Sequence, residues 1–83
     1  MIFNVKNNTS LLLADFGHAL RSIRISRNLS QEELGEITGL DRTYISGLER
    51  GKRNPTLKVI ALIGLSLGIT ASQLLEGIKI SHD

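Results

Sequence analysis

Apolar residues recur at helical spacing along most of this 83-residue chain. In the first such stretch, predicted over residues 11–27, they follow one another three or four positions apart, as on one face of a helix. Asn28 is expected to end this helix. The positions predicted to face the core are Leu13, Phe16, Leu20 and Ile23.

A second and a third helix are predicted on either side of a tight turn. Ser30 can cap the second helix, with Glu33 completing a capping box, and Gly39 supplies backbone freedom for a sharp stop. Asp41 can cap the third helix, residues 42–50. The apolar residues expected to turn inward are Leu34, Ile37, Ile45 and Leu48. This is the layout of a DNA-binding helix-turn-helix, whose second helix enters the major groove.

Two further helices are predicted in the second half of the chain. Pro55 is typical of a helix start, so a fourth helix is expected over residues 57–67, and Thr70 can cap a short fifth helix over residues 71–76. The core positions predicted in the fourth helix are Leu57, Ile60, Ile63, Gly64 and Leu67. The predicted fold class is therefore all-α, with an N-terminal arm (1–10), a helical domain (11–77) and a C-terminal tail (78–83).

Composition narrows the class of protein. A 41% share of hydrophobic residues is enough for one small folded domain. The absence of cysteine excludes a disulfide scaffold and a cysteine-based zinc site, and it fits a cytoplasmic protein. The amino end lacks the features of a secretory signal, and the most apolar stretch is shorter than the about 20 residues that cross a bilayer. We therefore expect a cytoplasmic protein with no membrane association.

The charge is unevenly distributed, although the net charge is only +2. Between residues 42 and 58, Glu49 is the sole acidic residue among five cations: Arg42, Arg50, Lys52, Arg53 and Lys58. An isolated charge run is more often a solvated loop, but beside a helix-turn-helix pattern the same run favours contact with phosphates.

Nothing in the sequence assembles a catalytic centre. Neither His18 nor His82 lies at metal-ligand spacing from another ligand, and no glycine-rich phosphate loop is present. Asp15 and His18, three residues apart, are more often a surface pair than a catalytic dyad. We predict a protein that is not an enzyme and that takes no metal, cofactor or small-molecule ligand.

Several segments are similar, in order and spacing, to the phage repressor and Cro type of helix-turn-helix family, also called XRE-type: LSQEELGEITGL, ISGLERGKRNPTL, LGIT and QLLEG. The similarity covers about residues 16–77. Within the family, LDRTYISGLERGKRNPTL most resembles the controller proteins of bacterial restriction–modification systems. The resemblance implies a five-helix repressor/Cro-like domain that binds double-stranded DNA as a homodimer on a roughly palindromic operator.

The residues expected to read bases lie on the outward face of the third helix. Arg42 has the fork that binds guanine O6 and N7 together, and Thr43 offers a hydroxyl and a methyl group. By resemblance, family members read bases at these two positions and at Ser46. Gly47 stands where relatives carry a long polar residue, and we infer a close backbone approach to DNA there. The expected base contacts are Arg42, Thr43, Ser46 and Gly47.

Contacts to the DNA backbone are expected on both sides of this helix. By resemblance, Gln31 binds a phosphate at the start of the second helix, where the helix dipole favours an anion. Tyr44 has two interpretations that stay open: ring packing alone, or ring packing with its hydroxyl on a phosphate. Arg53 is also expected to reach a base edge. The expected backbone contacts are Gln31, Tyr44, Arg50, Lys52, Arg53 and Asn54.

Two structural roles complete the prediction. By resemblance, Arg24 and Glu49 form a partly buried ion pair between the first and third helices, so Arg24 is not counted as a phosphate ligand. An exposed apolar patch is expected to form a dimer interface, because such patches mark partner surfaces; alternatively, the arm or the tail covers it. The predicted interface residues are Leu62, Leu65, Ile69, Leu74 and Ile78.

Other functions fit the same fold. An antitoxin that autorepresses a toxin–antitoxin pair would hold its toxin on the apolar patch and its operator on the third helix. An adaptor would use the fold for protein contacts alone. The base-capable side chains of Arg42 and Thr43 favour a DNA reader over the adaptor. Activation or repression would depend on operator position and on any contact with RNA polymerase.

Overall fold

The computed structural model describes residues 11–78, so the predicted arm and residues 79–83 of the predicted tail lie outside the described residues. Within this range the chain is all-helical, as predicted, and each of the five predicted helices is present. We number them α1 (Leu12–Ser26), α2 (Gln31–Thr38), α3 (Arg42–Glu49), α4 (Leu57–Leu67) and α5 (Ala71–Leu75).

Local sequence explains where these helices begin and end. The Ser30 hydroxyl accepts from the Glu33 N–H at 3.0 Å, while the Glu33 carboxylate accepts from the Ser30 N–H at 2.9 Å. Asp41 caps α3 through the Thr43 N–H at 2.9 Å, and Thr70 closes a second capping box at α5. Asn28 follows α1 in the left-handed conformation, at φ 59°, which explains why the helix stops there.

All five helices contribute side chains to one core. α1 packs on α3 and α5, α2 packs on α3 and α4, and α4 packs on α5. Gly17 allows α1 to approach α3 closely, because a Cβ at that position would lie 2.5 Å from the carbonyl oxygens of Leu48 and Glu49. The buried core residues are Phe16, Leu20, Leu34, Ile45, Leu48, Ile63, Leu67 and Leu74.

The predicted burial pattern is wrong at two aliphatic positions. Ile37 is 54% exposed. The buried face of α2 runs from Leu34 towards Gly35, and Ile37 lies on the other edge of Leu34, away from Gly35. Leu57 is 76% exposed, because it is the first residue of α4 and lacks a preceding turn to cover it. Both residues fit the apolar periodicity of their helix, but neither lies on the part of the helix surface that packs against the core.

The predicted dimer patch also needs correction. Leu74 is fully buried in the protomer core, because α5 packs against both α1 and α4. Ile69 and Ile78 are partly buried against the same core, and Leu62 is half-buried. Leu65, at 79% exposure, is the member of the set that lies well out in solvent.

No helix within residues 11–78 is both long and apolar enough to cross a membrane.

Candidate nucleic-acid interface

The turn between α2 and α3 is held by side-chain and backbone contacts. Gly39 takes the left-handed conformation at φ 77°, and its N–H donates to the Gly35 carbonyl. The Thr38 hydroxyl donates to the Leu34 carbonyl at 2.7 Å and accepts from the Leu40 N–H at 3.1 Å. These contacts hold the end of α2 beside the start of α3, as a helix-turn-helix requires.

The two sides of α3 have different environments. Ile45 and Leu48 are fully buried, as predicted, and Glu49 is only 5% exposed. On the opposite side, Arg42 and Thr43 are exposed and Ser46 is half-buried. An eight-residue helix thus presents a polar outer surface while its inner surface is locked into the core.

A polar notch of about 140 Å³ lies between the start of α2 and the first turns of α3. It brings three of the predicted base contacts together with one predicted phosphate contact. The residues that line it are Gln31, Arg42, Thr43 and Ser46. Together they offer hydroxyl, amide and guanidinium groups for hydrogen bonds within one concave surface.

Beneath this notch, Arg24 and Glu49 form the predicted ion pair between α1 and α3. Arg24 Nε donates to Glu49 Oε2 at 2.6 Å, and Nη2 donates to Oε1 at 2.9 Å. Arg24 Nη1 donates to the Leu29 carbonyl at 2.7 Å, so three guanidinium nitrogens have partners. The hydrogen bond to the Glu49 carboxylate raises the pKa of Arg24, against the opposing effect of burial, and the guanidinium stays charged.

The ion pair also touches the outer surface through Gln31. Gln31 Nε2 donates to Glu49 Oε1 at 3.1 Å, so one carboxylate oxygen accepts from both Gln31 and Arg24. The sequence did not predict this contact, since Gln31 and Glu49 are 18 positions apart. It orients the Gln31 side chain within the notch.

A basic loop follows α3 and folds back onto it. Gly51, at φ 70°, adopts a conformation that favours glycine, and the Lys52 N–H then donates to the Gly47 carbonyl at 2.9 Å. Arg50 Nε donates to the Ser46 carbonyl at 3.3 Å. The exposed side chains of this loop are those predicted to contact the DNA backbone: Arg50, Lys52, Arg53 and Asn54.

A side chain of the same protein lies over Gly47, where a close backbone approach to DNA is predicted. Gly47 is buried, and the atoms that cover it belong to Arg53. A Cβ at Gly47 would lie 2.7 Å from Arg53 Cγ and within 3.7 Å of Arg53 Nε and Cδ. The missing side chain therefore makes room for Arg53.

Tyr44 supports the same arginine. Its ring is half-buried and packs against the core, as both interpretations of this residue require. Arg53 Cζ lies 5.5 Å from the ring centroid, within the range of a cation–π contact. The sequence carried one signal of this arrangement, because Tyr44 and Gly47 are three residues apart and so lie on neighbouring turns of one helix face.

A second concave surface, of about 250 Å³, has a different chemistry. It is an apolar groove between α1, α4 and α5. The residues that line it are Leu12, Leu13, Phe16, Asn54, Pro55, Ile60, Leu75 and Ile78. Among residues 11–78, no three His, Cys, Asp or Glu side chains are grouped as a metal site would require.

Comparison with known proteins defines the class. Residues 20–75 match the model of the HTH_3 helix-turn-helix family, and the chain belongs to this XRE-type family. It is similar to the control protein C.BamHI of Bacillus amyloliquefaciens, with 46% identity over 71 residues, which are 84% of each chain.

Solved structures agree with this assignment. The restriction–modification controller C.AhdI of Aeromonas hydrophila matches with a TM-score of 0.73 and 44% identity, over 75% of this chain and 94% of that one. The controller C.Esp1396I, crystallised as a tetramer with its natural 35 base-pair operator, matches with a TM-score of 0.71 and 38% identity, over 78% of this chain and 86% of that one. These relatives are regulators rather than enzymes. The protein is thus a DNA-binding transcriptional regulator of the helix-turn-helix type.

Proposed function

We propose that this protein is a restriction–modification controller that binds a roughly palindromic operator as a homodimer. The observation that carries the proposal is the polar notch, which places Arg42, Thr43 and Ser46 beside Gln31 on the outer side of α3. The similarity to several control proteins supports the choice of controller over antitoxin and adaptor.

The notch suits the major groove of DNA. With α3 in the groove, Arg42 would donate to O6 and N7 of a guanine, and Thr43 would contact the methyl group of a thymine. Gln31, steadied by Glu49, would meet the phosphates at the groove edge. The cations of the loop after α3 would contact the backbone and supply affinity that falls with salt.

The outer face of α4 suits a second copy of the chain. Leu57, Ala61 and Leu65 are exposed and follow one another at four-residue intervals, which places them in one stripe. Lys58 and Ser66 are the only polar side chains of this helix. A helix that is apolar on nearly all sides is normally covered. A twofold dimer through this stripe would place two copies of α3 about 34 Å apart, one turn of DNA.

In vitro selection of binding sites from random duplex DNA at near-physiological salt tests the proposal. We expect a palindrome whose half-sites lie one turn apart. A search of the source genome for that site should then find it upstream of restriction–modification genes. Failure to enrich any sequence would contradict the proposal and favour the adaptor, while a site next to a toxin gene would favour the antitoxin.

The dimer has its own test. Leu65→Lys should shift the protein from dimer to monomer in light scattering at tens of micromolar, because a charge replaces an apolar contact. Ile25→Lys is the matched control, since Ile25 is also exposed and aliphatic but lies on α1. A wild-type protein that is already a monomer at this concentration would overturn the homodimer.

A further inference from the structure

Arg53 has a more defined position than its exposure indicates. The loop that carries it is fixed to α3 by two backbone hydrogen bonds. The Gly51 N–H donates to the Leu48 carbonyl, and the Lys52 N–H donates to the Gly47 carbonyl. Arg53 follows directly, so its side chain starts beside the outer surface of α3 and not in open solvent.

The side chain then crosses α3 at Gly47. The three atoms nearest to a Cβ built at Gly47 are Cγ, Nε and Cδ of Arg53, so the aliphatic stem lies where any other residue would place its side chain. Beyond this point the guanidinium lies over the Tyr44 ring. Gly47 and Tyr44 together form a surface, here called the seat, on which the Arg53 side chain lies.

We propose that Gly47 and Tyr44 are positioning residues that hold Arg53 against the outer face of α3 for contact with DNA. The proposal rests on the proposed function, since it concerns the same DNA-binding surface. Holding a long side chain in place before binding reduces the rotamer entropy lost on binding. Gly47 therefore contributes to DNA affinity through Arg53, although it does not touch DNA itself.

The arrangement of the free protein can be measured without DNA. Tyr44 is the only tyrosine of the chain and there is no tryptophan, so its ring signals are readily assigned by NMR. We expect nuclear Overhauser effects between the Tyr44 ring and the Arg53 side chain in the wild type. Gly47→Ala should abolish them, because the new methyl group occupies the path of Arg53.

The choice of variants separates positioning from folding. Gly47→Ala should keep its melting temperature, because the atoms that must move belong to an exposed, flexible side chain and alanine favours a helix. Tyr44→Phe should retain the ring-to-Arg53 effects, whereas Tyr44→Leu should lose them. Effects that persist unchanged in Gly47→Ala would overturn the seat.

Affinity for DNA is then measured in a double-mutant cycle of Gly47→Ala and Arg53→Ala. The probes are the duplex recovered by selection and a random-sequence duplex of equal length. Gly47→Ala should weaken binding to the selected duplex about tenfold when Arg53 is present, and not at all when Arg53 is already alanine. An equal loss in both backgrounds would contradict the proposal and restore a direct backbone approach by Gly47, and no loss in either would also contradict it.

The two measurements distinguish this proposal from the proposed function. If the wild type binds neither duplex, the proposed function fails, and so does the proposed role of Gly47 and Tyr44 in DNA binding. The NMR result still shows whether Gly47 and Tyr44 hold Arg53. If the wild type binds the selected duplex but the cycle shows no coupling, the positioning proposal fails alone.

Discussion

The two sides of α3 place the same short helix in two different environments. On the inner side, Ile45 and Leu48 are fully buried and Glu49 binds Arg24 through two hydrogen bonds. On the outer side, Arg42 and Thr43 are exposed and border a polar notch. The inner side fixes the position of the helix, and the outer side is what a partner meets. Inner substitutions should therefore change stability, and outer substitutions should change DNA binding.

Glu49 takes part in both the inner and the outer side of α3. Its carboxylate accepts from Arg24 inside the fold and from Gln31 at the notch. Stability and the geometry of the notch are therefore joined through one side chain. Substitutions at Glu49 or its partners should therefore affect both properties.

Arg24→Ala should have the largest effect, a loss of about 3–5 kcal/mol in the free energy of unfolding, because it leaves the Glu49 charge buried without its main partner. Thermal and denaturant unfolding measure this. Arg21→Ala, an exposed arginine on the same helix, is the control and should be near neutral. An unchanged melting temperature combined with weakened DNA binding would instead make Arg24 a DNA ligand.

Gly17→Ala and Gly47→Ala make the same substitution on the two sides of α3. Gly17 lies on α1 and contacts the inner side, whereas Gly47 lies beneath Arg53 on the outer side. At Gly17 the added methyl group meets rigid carbonyl oxygens of α3, so we expect a loss of about 1–3 kcal/mol in unfolding free energy. At Gly47 it meets only the Arg53 side chain, and stability should hold. Parallel thermal denaturation compares the two variants. Equal destabilisation would show that Gly47 belongs to the packed core.

Ser30→Ala should have a smaller effect. It removes the acceptor for the Glu33 N–H at the start of α2, and a lost cap costs about 1 kcal/mol. Ser30→Asp, which retains a capping oxygen, is the control and should recover most of the loss in urea unfolding. A destabilised Ser30→Asp protein would indicate that Ser30 contributes more than its cap.

The smallest effect should be a dependence on pH from Glu33. The backbone N–H of Ser30, and then its hydroxyl, lower the pKa of Glu33 in the folded protein. Its contribution to stability is therefore complete above the ordinary glutamate pKa of about 4.3 and is lost as the pH falls through the lower folded value. Glu33→Gln keeps a capping side chain but does not titrate. The difference in melting temperature between wild type and Glu33→Gln should shift against the wild type from pH 6 to pH 3; a constant difference would contradict this.

Much of the fold could be predicted because its signals are local. The Ser30 capping box, the Gly39 turn and the caps at Asp41 and Thr70 involve residues within a few positions of each other. Leu74 could not be placed, because its burial depends on α5 packing against α1 and α4, and a five-residue helix has too little periodicity to show which side faces inward.

The site was predictable to the extent that it depends on the exposed face of one helix. Arg42, Thr43 and Ser46 lie as expected around one notch. The bond between Gln31 and Glu49 and the passage of Arg53 over Gly47 were not foreseen, because each joins residues from different segments through side-chain conformation. The sequence drew attention to Gly47, but it could not show that another residue of the same chain fills its space.

The most direct test of this division of roles is the affinity of two outer-surface variants for two DNA duplexes. Arg42→Ala should weaken binding to the selected duplex by about 1–3 kcal/mol and barely change binding to a random duplex, because it removes a base contact. Lys52→Ala should weaken binding to both similarly and reduce the salt dependence, because it removes a phosphate contact. Both variants should melt like the wild type. Equal losses on both duplexes for Arg42→Ala would contradict base reading by the outer face of α3.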